Sequence, residues 1–176
     1  MKPEMIILVD SEDNIIGEIA RKQKVAPDIH RVSALWLTNL EWHILLAKRS
    51  KFKEGNPLKW WPAAAGTNEV GETYESNIYK EAEEEIGFTG IMLSKSVKIP
   101  NFDSSSPHIT QWYTAVIDWK QKDFIPQESE VAEVRWWTPK ELAIALRDEP
   151  NIFIKRMPLY FEMFHKHNGN TPGISK

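Results

Sequence analysis

The chain has 176 residues, of which 41% are hydrophobic and 27% charged; that is the composition of a folded domain, not of a disordered tail. Lys and Arg number 22 against 25 Asp and Glu, a formal net charge of −3, which speaks against a general nucleic-acid binder. The chain has no cysteine, and this excludes disulfides, thiol nucleophiles and Cys-ligated zinc or iron–sulfur sites.

No apolar run approaches the roughly 18 residues of a membrane span. Residues 1–10 include Glu4 and Asp10 and lack the apolar core of a signal peptide. The expectation is one soluble, cytoplasmic domain over 1–176, with neither a nucleic-acid polymer nor a membrane as partner.

In chain order, Met5–Val9 and Ile15–Ala20 flank the turn residues 10–14 and predict a β-hairpin. Residues 21–29, with Pro27, read as an irregular connection. Val32–Thr38 and His43–Ala47 predict a second hairpin around 39–41. Ser50–Lys59 is a polar loop, and 60–65 is short and apolar. Thr73–Ile86 has no Gly or Pro and is rich in Glu, the pattern of a helix. Strands are expected at 91–99, 109–119 and 131–138, with a Ser- and Asp-containing loop at 100–107. Thr138-Pro139-Lys140-Glu141 is a helix start, with Thr as N-cap, Pro at N1 and Glu at N3. That helix runs to about Arg147, a further one spans 152–164, and 165–176 reads as a loose tail.

The segment 66–88, GTNEVGETYESNIYKEAEEEIGF, carries the chemistry. Glu81, Glu84 and Glu85 stand at i, i+3 and i+4, one side of a helix. Like charges so placed repel, and a bound cation removes that penalty. Hard oxygen donors suit Mg²⁺, which shares its coordination with substrate phosphates. Tyr74, Ile78, Ala82 and Ile86 form an apolar stripe, and Glu85 falls within about 60° of its centre. The acidic side therefore borders the buried face, as a cleft requires. Taken alone, the acidic run has a plainer reading as a solvated helix face. Lys80 has two candidate partners, Glu84 one turn on and Glu72 across the loop.

The spacing resembles the signature of the Nudix hydrolases, with Gly66, Glu72, Glu81, Ala82, Glu84, Glu85, Gly87 and Phe88 on its places. Lys80 stands where that family usually has Arg. Six Gly and Glu matches arise by chance roughly once in 10⁷ start positions. The resemblance implies an α/β fold, an α/β/α sandwich with a mixed central sheet and here an N-terminal β-hairpin. It implies Mg²⁺ or Mn²⁺, and a small-molecule diphosphate substrate, often nucleoside-linked. Glu81, Glu84, Glu85 and the carbonyl of Gly66 would be the metal ligands. Glu81, Glu84 and Glu130 would be the catalytic set. Glu72 would hold residue 80 and so shape the loop–helix turn. A monomer or a homodimer is expected.

The chain also resembles the branch related to isopentenyl-diphosphate isomerase, through 6–25, 29–39, 45–50 and 128–137. The isomerases need a cysteine before the box glycine and a histidine after it. Ala65 and Thr67 hold those places here. A diphosphate-binding module with little turnover and a structural protein with an incidental acidic helix compete with the hydrolase reading. The first has no need of the full glutamate set, and the second leaves the loop glycine spacing unexplained.

Outside the box, Arg49, Lys51 and Lys53 are candidates for substrate phosphate; the plainer reading is a solvated basic loop. For Glu130 the plainer reading is an exposed strand-edge carboxylate. Trp60, Trp61 and Trp112 are candidates for lining a pocket, with Trp60 and Trp112 as stacking surfaces; core packing would equally account for each. His30 reads as structural, and His108 shows no ligand spacing. The loop 101–107 is a candidate cover for the site.

Overall fold

In the computed structural model, residues 3–120 and 123–167 are described. Nine strands and three helices are present among them: β1 (Met5–Val9), β2 (Ile15–Ala20), β3 (Ile29–Asn39), β4 (Ile44–Arg49), β5 (Trp60–Pro62), β6 (Ala64–Thr67), α1 (Tyr74–Ile86), β7 (Ser94–Asn101), β8 (His108–Ile117), β9 (Val131–Trp137), α2 (Pro139–Asp148) and α3 (Met157–His167).

The longest strand, β3, organises the sheet. One edge runs parallel to β8 from His30↔His108 to Asn39↔Ile117. The other edge is shared in succession by three antiparallel strands: β1 at Ile29 and His30, β6 at Val32–Leu35, and β4 at Leu37 and Thr38. The sheet is therefore mixed, as expected, and the β1–β2 hairpin forms part of it. The tip of that hairpin is pinned, because the Asp13 carboxylate accepts from Arg31 Nε at 2.7 Å and Tyr74 Oη at 3.0 Å and pairs with Lys98.

Strand alternation divides the core into two faces. Leu35, Leu37, Leu45, Ala47 and Tyr113 pack with Ile78, Ala82 and Ile86 of α1. Their neighbours Ala34, Trp36, Ile44, Leu46 and Trp112 pack with Leu142 of α2 and Met157, Tyr160 and Phe164 of α3. This is the α/β/α sandwich. Among the described residues, no helix is long and apolar enough to cross a membrane.

The Thr138 capping box starts α2 where the sequence indicates. The last helix departs from expectation: α3 begins at Met157, not at 152, after a 3₁₀ turn at Pro150–Ile152. Pro158 explains the shift. It lacks an N–H and fits the first turn of a helix, whereas a start at 152 would put it in the interior. The helix also continues through His167, where a loose tail is expected from 165; the rest of that tail, 168–176, lies outside the described residues.

Candidate active site

The turn into α1 is fixed from both ends. Thr73 caps the helix: its hydroxyl accepts from the Ser76 amide at 3.0 Å, and the Ser76 hydroxyl accepts from the Thr73 amide at 2.9 Å. Gly87 closes it at φ 68°, with its amide on the Glu83 carbonyl and the Phe88 amide on that of Ala82. This left-handed stop is why a glycine is needed there. Ser33 of β3 donates to the Tyr74 carbonyl at 2.8 Å, tying the helix to the sheet.

Lys80 bridges the loop. Its ammonium donates to Glu69 at 2.7 Å and Glu72 at 3.0 Å. Of the two expected partners, Glu72 is found and Glu84 is not; Glu69 is an addition that the spacing does not indicate. Burial opposes the Lys80 charge, but the bonds to Glu69 and Glu72 outweigh it and raise its pKa. Glu72 also accepts from the Glu69 amide at 2.8 Å and from Asn77 Nδ2 at 2.9 Å. Asn77 is fully buried and donates to Glu81 Oε1 at 3.3 Å as well. The chain Lys80–Glu72–Asn77–Glu81 thus links the loop to the first carboxylate of the cluster.

That carboxylate faces a cleft of about 770 Å³. Its floor is one face of the sheet, with His30, Val32 and Ala34 of β3 beside His108, Thr110 and Trp112 of β8. Gly66, Glu81 and Glu85 lie on its wall. Glu85 is 3% exposed and accepts from the Ala65 amide at 3.0 Å. A side chain on Gly66 would overlap the Glu81 carboxyl group where it stands, so a Cβ there would force that carboxyl to move. Burial pushes the Glu81 carboxyl up to about 7; Lys80 opposes this, and Glu84 and Glu72 add to it. Burial, then the Glu81 charge, raises Glu85 well above the usual carboxylate range. Two carboxylates beside each other in a partly dry wall, against a backbone left bare by Gly66, are a donor set short of positive charge. They fit a hard divalent cation.

Glu84 differs from its neighbours. It is exposed and lies outside the cleft lining. Among the described residues, no three His, Cys, Asp or Glu side chains converge as a formed cation site. The reason is angular: Glu81 and Glu85, four apart, superpose on the helix face, and Glu84 stands about 100° from Glu85.

The phosphate candidates separate in the same way. Arg49 lines the cleft, its guanidinium 4.0 Å over the Trp61 ring and its Nε donating to the Gly55 carbonyl at 2.7 Å. Burial lowers its pKa, while Glu85 and Glu130 support its charge. Lys53 and Glu130 also line the cleft and form an ion pair with each other. Lys51 is exposed, its ammonium 5.1 Å from the Phe52 ring, and does not join them.

The stacking candidates need a correction. Trp60 is buried in the α2/α3 core against Trp137 and does not line the cleft. Its neighbour Trp61, on the opposite side of β5, does line it. Trp112 lies under the floor but is 1% exposed and packed on Tyr160 and Phe164. The loop after β7 does border the cleft, through Asp103 and Ser104–Ser106. His108, Tyr160 and Arg156 line it unanticipated. Period-2 reading of 108, 110 and 112 would place His108 on the face of Trp112; the other two depend on how α3 docks.

A family model described as NUDIX domain matches residues 28–157. The chain is 32% identical over 154 residues to an uncharacterized Nudix hydrolase of Listeria innocua, covering 86% of this chain and 87% of that one. It is 24% identical over 180 residues to an isopentenyl-diphosphate Delta-isomerase of Aliivibrio fischeri, covering 95% and 99%. Its fold is similar to the crystal structure of DR0079 from Deinococcus radiodurans, with a TM-score of 0.72, 22% identity and coverage of 83% and 90%.

Proposed function

The chain belongs to the Nudix family of diphosphate-bond hydrolases, and from that membership we propose that it is a Mg²⁺- or Mn²⁺-dependent hydrolase of a small organic diphosphate. The observation that carries this reading is the meeting of Glu81, Glu85 and the bare Gly66 backbone with Arg49, Lys53 and Glu130 in one cleft.

Glu81, Glu85 and the Gly66 carbonyl would hold the cation, with Glu84 as the outer carboxylate of the set. When bound, the cation neutralises phosphate charge and lowers the pKa of a water so that hydroxide is available near pH 7. Arg49 offers a planar fork for a phosphate, pre-oriented by the Trp61 ring beneath it. Lys53 adds a second positive charge. Glu130, whose Oε2 is held at the cleft by Lys53, is outside the ligand set and would accept the proton of the attacking water at its other oxygen. Lys80 keeps the bond to Glu72 that an arginine would make, so its presence does not dismantle the turn. Isomerisation would need a proton-transferring group beside Gly66, and Ala65 has none.

The test is product release in ¹⁸O-labelled water with Mg²⁺, across nucleoside di- and triphosphates, nucleotide sugars, dinucleoside polyphosphates and prenyl diphosphates. Label in a phosphate product is expected for at least one class. Conversion of a prenyl diphosphate without phosphate release would overturn the reading.

A further inference from the structure

The cleft has a second cationic end. Glu85 is held by the Ala65 amide, and Ala65 pairs with Ala34 of β3. Four residues back along β3, about 13 Å at strand rise, is His30. Its ring lies 5.5 Å from that of His108.

Both imidazoles donate Nδ1–H to the loop after β7, His30 to the Pro107 carbonyl at 2.8 Å and His108 to that of Ser106 at 2.7 Å. Lys24 donates to the Ser106 hydroxyl at 3.2 Å. Arg156, half-buried at the entry to α3, donates to the Pro100 carbonyl at 3.0 Å. Among the described residues, neither Lys24 nor Arg156 stands in an ion pair. Arg21 and Lys155 border the same space.

The acidic groups nearby are fewer. Glu4 is engaged by Arg21 at 2.6 Å, Asp28 acts on Lys24 from a distance, and Asp103 lies on the rim. The histidines report the resulting field. Burial holds both below the ordinary value, and the charged side chains acting on them are cations: Lys24 and Arg21 on His30, Arg156 and Lys24 on His108. Arg156 and Ser104–Ser106 line this end of the cleft with two neutral imidazoles, and the Lys24 ammonium, outside the lining, backs the Ser106 hydroxyl; together they form a site for an anion.

We propose that this end of the cleft binds a second anionic group of the substrate, a phosphate monoester or a carboxylate, carried about 13 Å from the diphosphate. The substrate is then charged at both ends, and the apolar floor formed by Val32, Ala34 and Trp112 spans its middle. This inference rests on the hydrolase reading for its diphosphate end.

Its test needs no turnover. Inorganic phosphate and acetate are titrated separately into the metal-free full chain, and the imidazole ¹⁵N signals of His30 and His108 are followed by NMR. Saturable shifts of both are expected, the tighter probe naming the anionic group. Arg156→Gln should weaken binding about tenfold, as loss of a charge-assisted bond does, and Lys24→Gln should weaken it less, through the Ser106 hydroxyl that Lys24 holds. Glu85→Gln should leave it unchanged. No saturable shift with either probe, or shifts that both variants leave intact, would overturn the proposal. Diphosphate hydrolysis is measured on the same preparation. Hydrolysis without anion binding defeats this inference alone, whereas anion binding weakened in the two variants upholds the site even if no diphosphate is cleaved.

Discussion

Gly66 and Glu81 are packed so closely that no side chain can stand on the glycine without displacing the carboxyl group. The box glycine is therefore a spatial requirement of the carboxylate, set by the approach of β6 to α1. Gly66→Ala should fold, because a side chain can rotate away, but it should turn Glu81 out of the cleft. A misplacement of about 1 Å in such a site typically lowers turnover about 100-fold. Steady-state turnover beside a thermal melt checks this: low turnover with a near-native melt is expected.

Asn77 is the buried joint between Glu72 and Glu81. Asn77→Ala removes the donor and leaves Glu72 with less support in a largely buried turn, a loss of about 1–3 kcal/mol. Lys80 is about one-third exposed, 35% by side chain, so Lys80→Arg should change stability by less than about 1 kcal/mol. Urea midpoints of the two variants should rank in that order.

Arg49 stacks on Trp61 and faces the carboxylate wall. Lysine keeps the charge and loses both the fork and the stack. Arg49→Lys should raise KM about tenfold and leave kcat nearly unchanged, the mark of lost uniform binding. A fall in kcat at constant KM would place Arg49 in the chemical step instead.

His30 is held neutral in the fold, pushed down to about 3 by burial and then by Lys24 and His108. The unfolded chain takes up a proton near the ordinary value of about 6.5. Between these values the unfolded state binds the extra proton. The stability that His30 contributes is thus complete above 6.5 and is lost as pH falls toward 3, by up to about 1.4 kcal/mol per pH unit. Glu81, raised to about 7, has the opposite sign: in metal-free protein its contribution is lost as pH rises through 7. Denaturation of wild type and His30→Gln between pH 4.5 and 7.5 separates the two. The variant should have the shallower acid slope.

Much of this site is legible in the chain itself. The spacing of Gly66, Glu72, Glu81 and Glu85 is local, because one helix and one turn fix it, and the Thr73 and Thr138 caps are local too. Trp60 and Trp61 are not separable by sequence, since which of two adjacent tryptophans faces the cleft depends on the register of β5 against β4. Lys51 and Lys53 present the same problem on a loop. Glu69 as a second partner of Lys80, and Arg156 and Tyr160 beside the floor, depend on the fold of the loop after β6 and the docking of α3. Pro158 carries a local signal for the start of α3, and it outweighs the apolar pattern from 152.

The most direct measurement is Mg²⁺-dependent hydrolysis of the diphosphate panel by wild type and by Glu85→Gln, with circular dichroism to show that both are folded. Turnover in the wild type is expected to vanish on chelation and to fall by at least about 100-fold in the variant. Equal turnover by a folded Glu85→Gln chain would contradict the assignment of the cation to the wall formed by Glu81, Glu85 and Gly66.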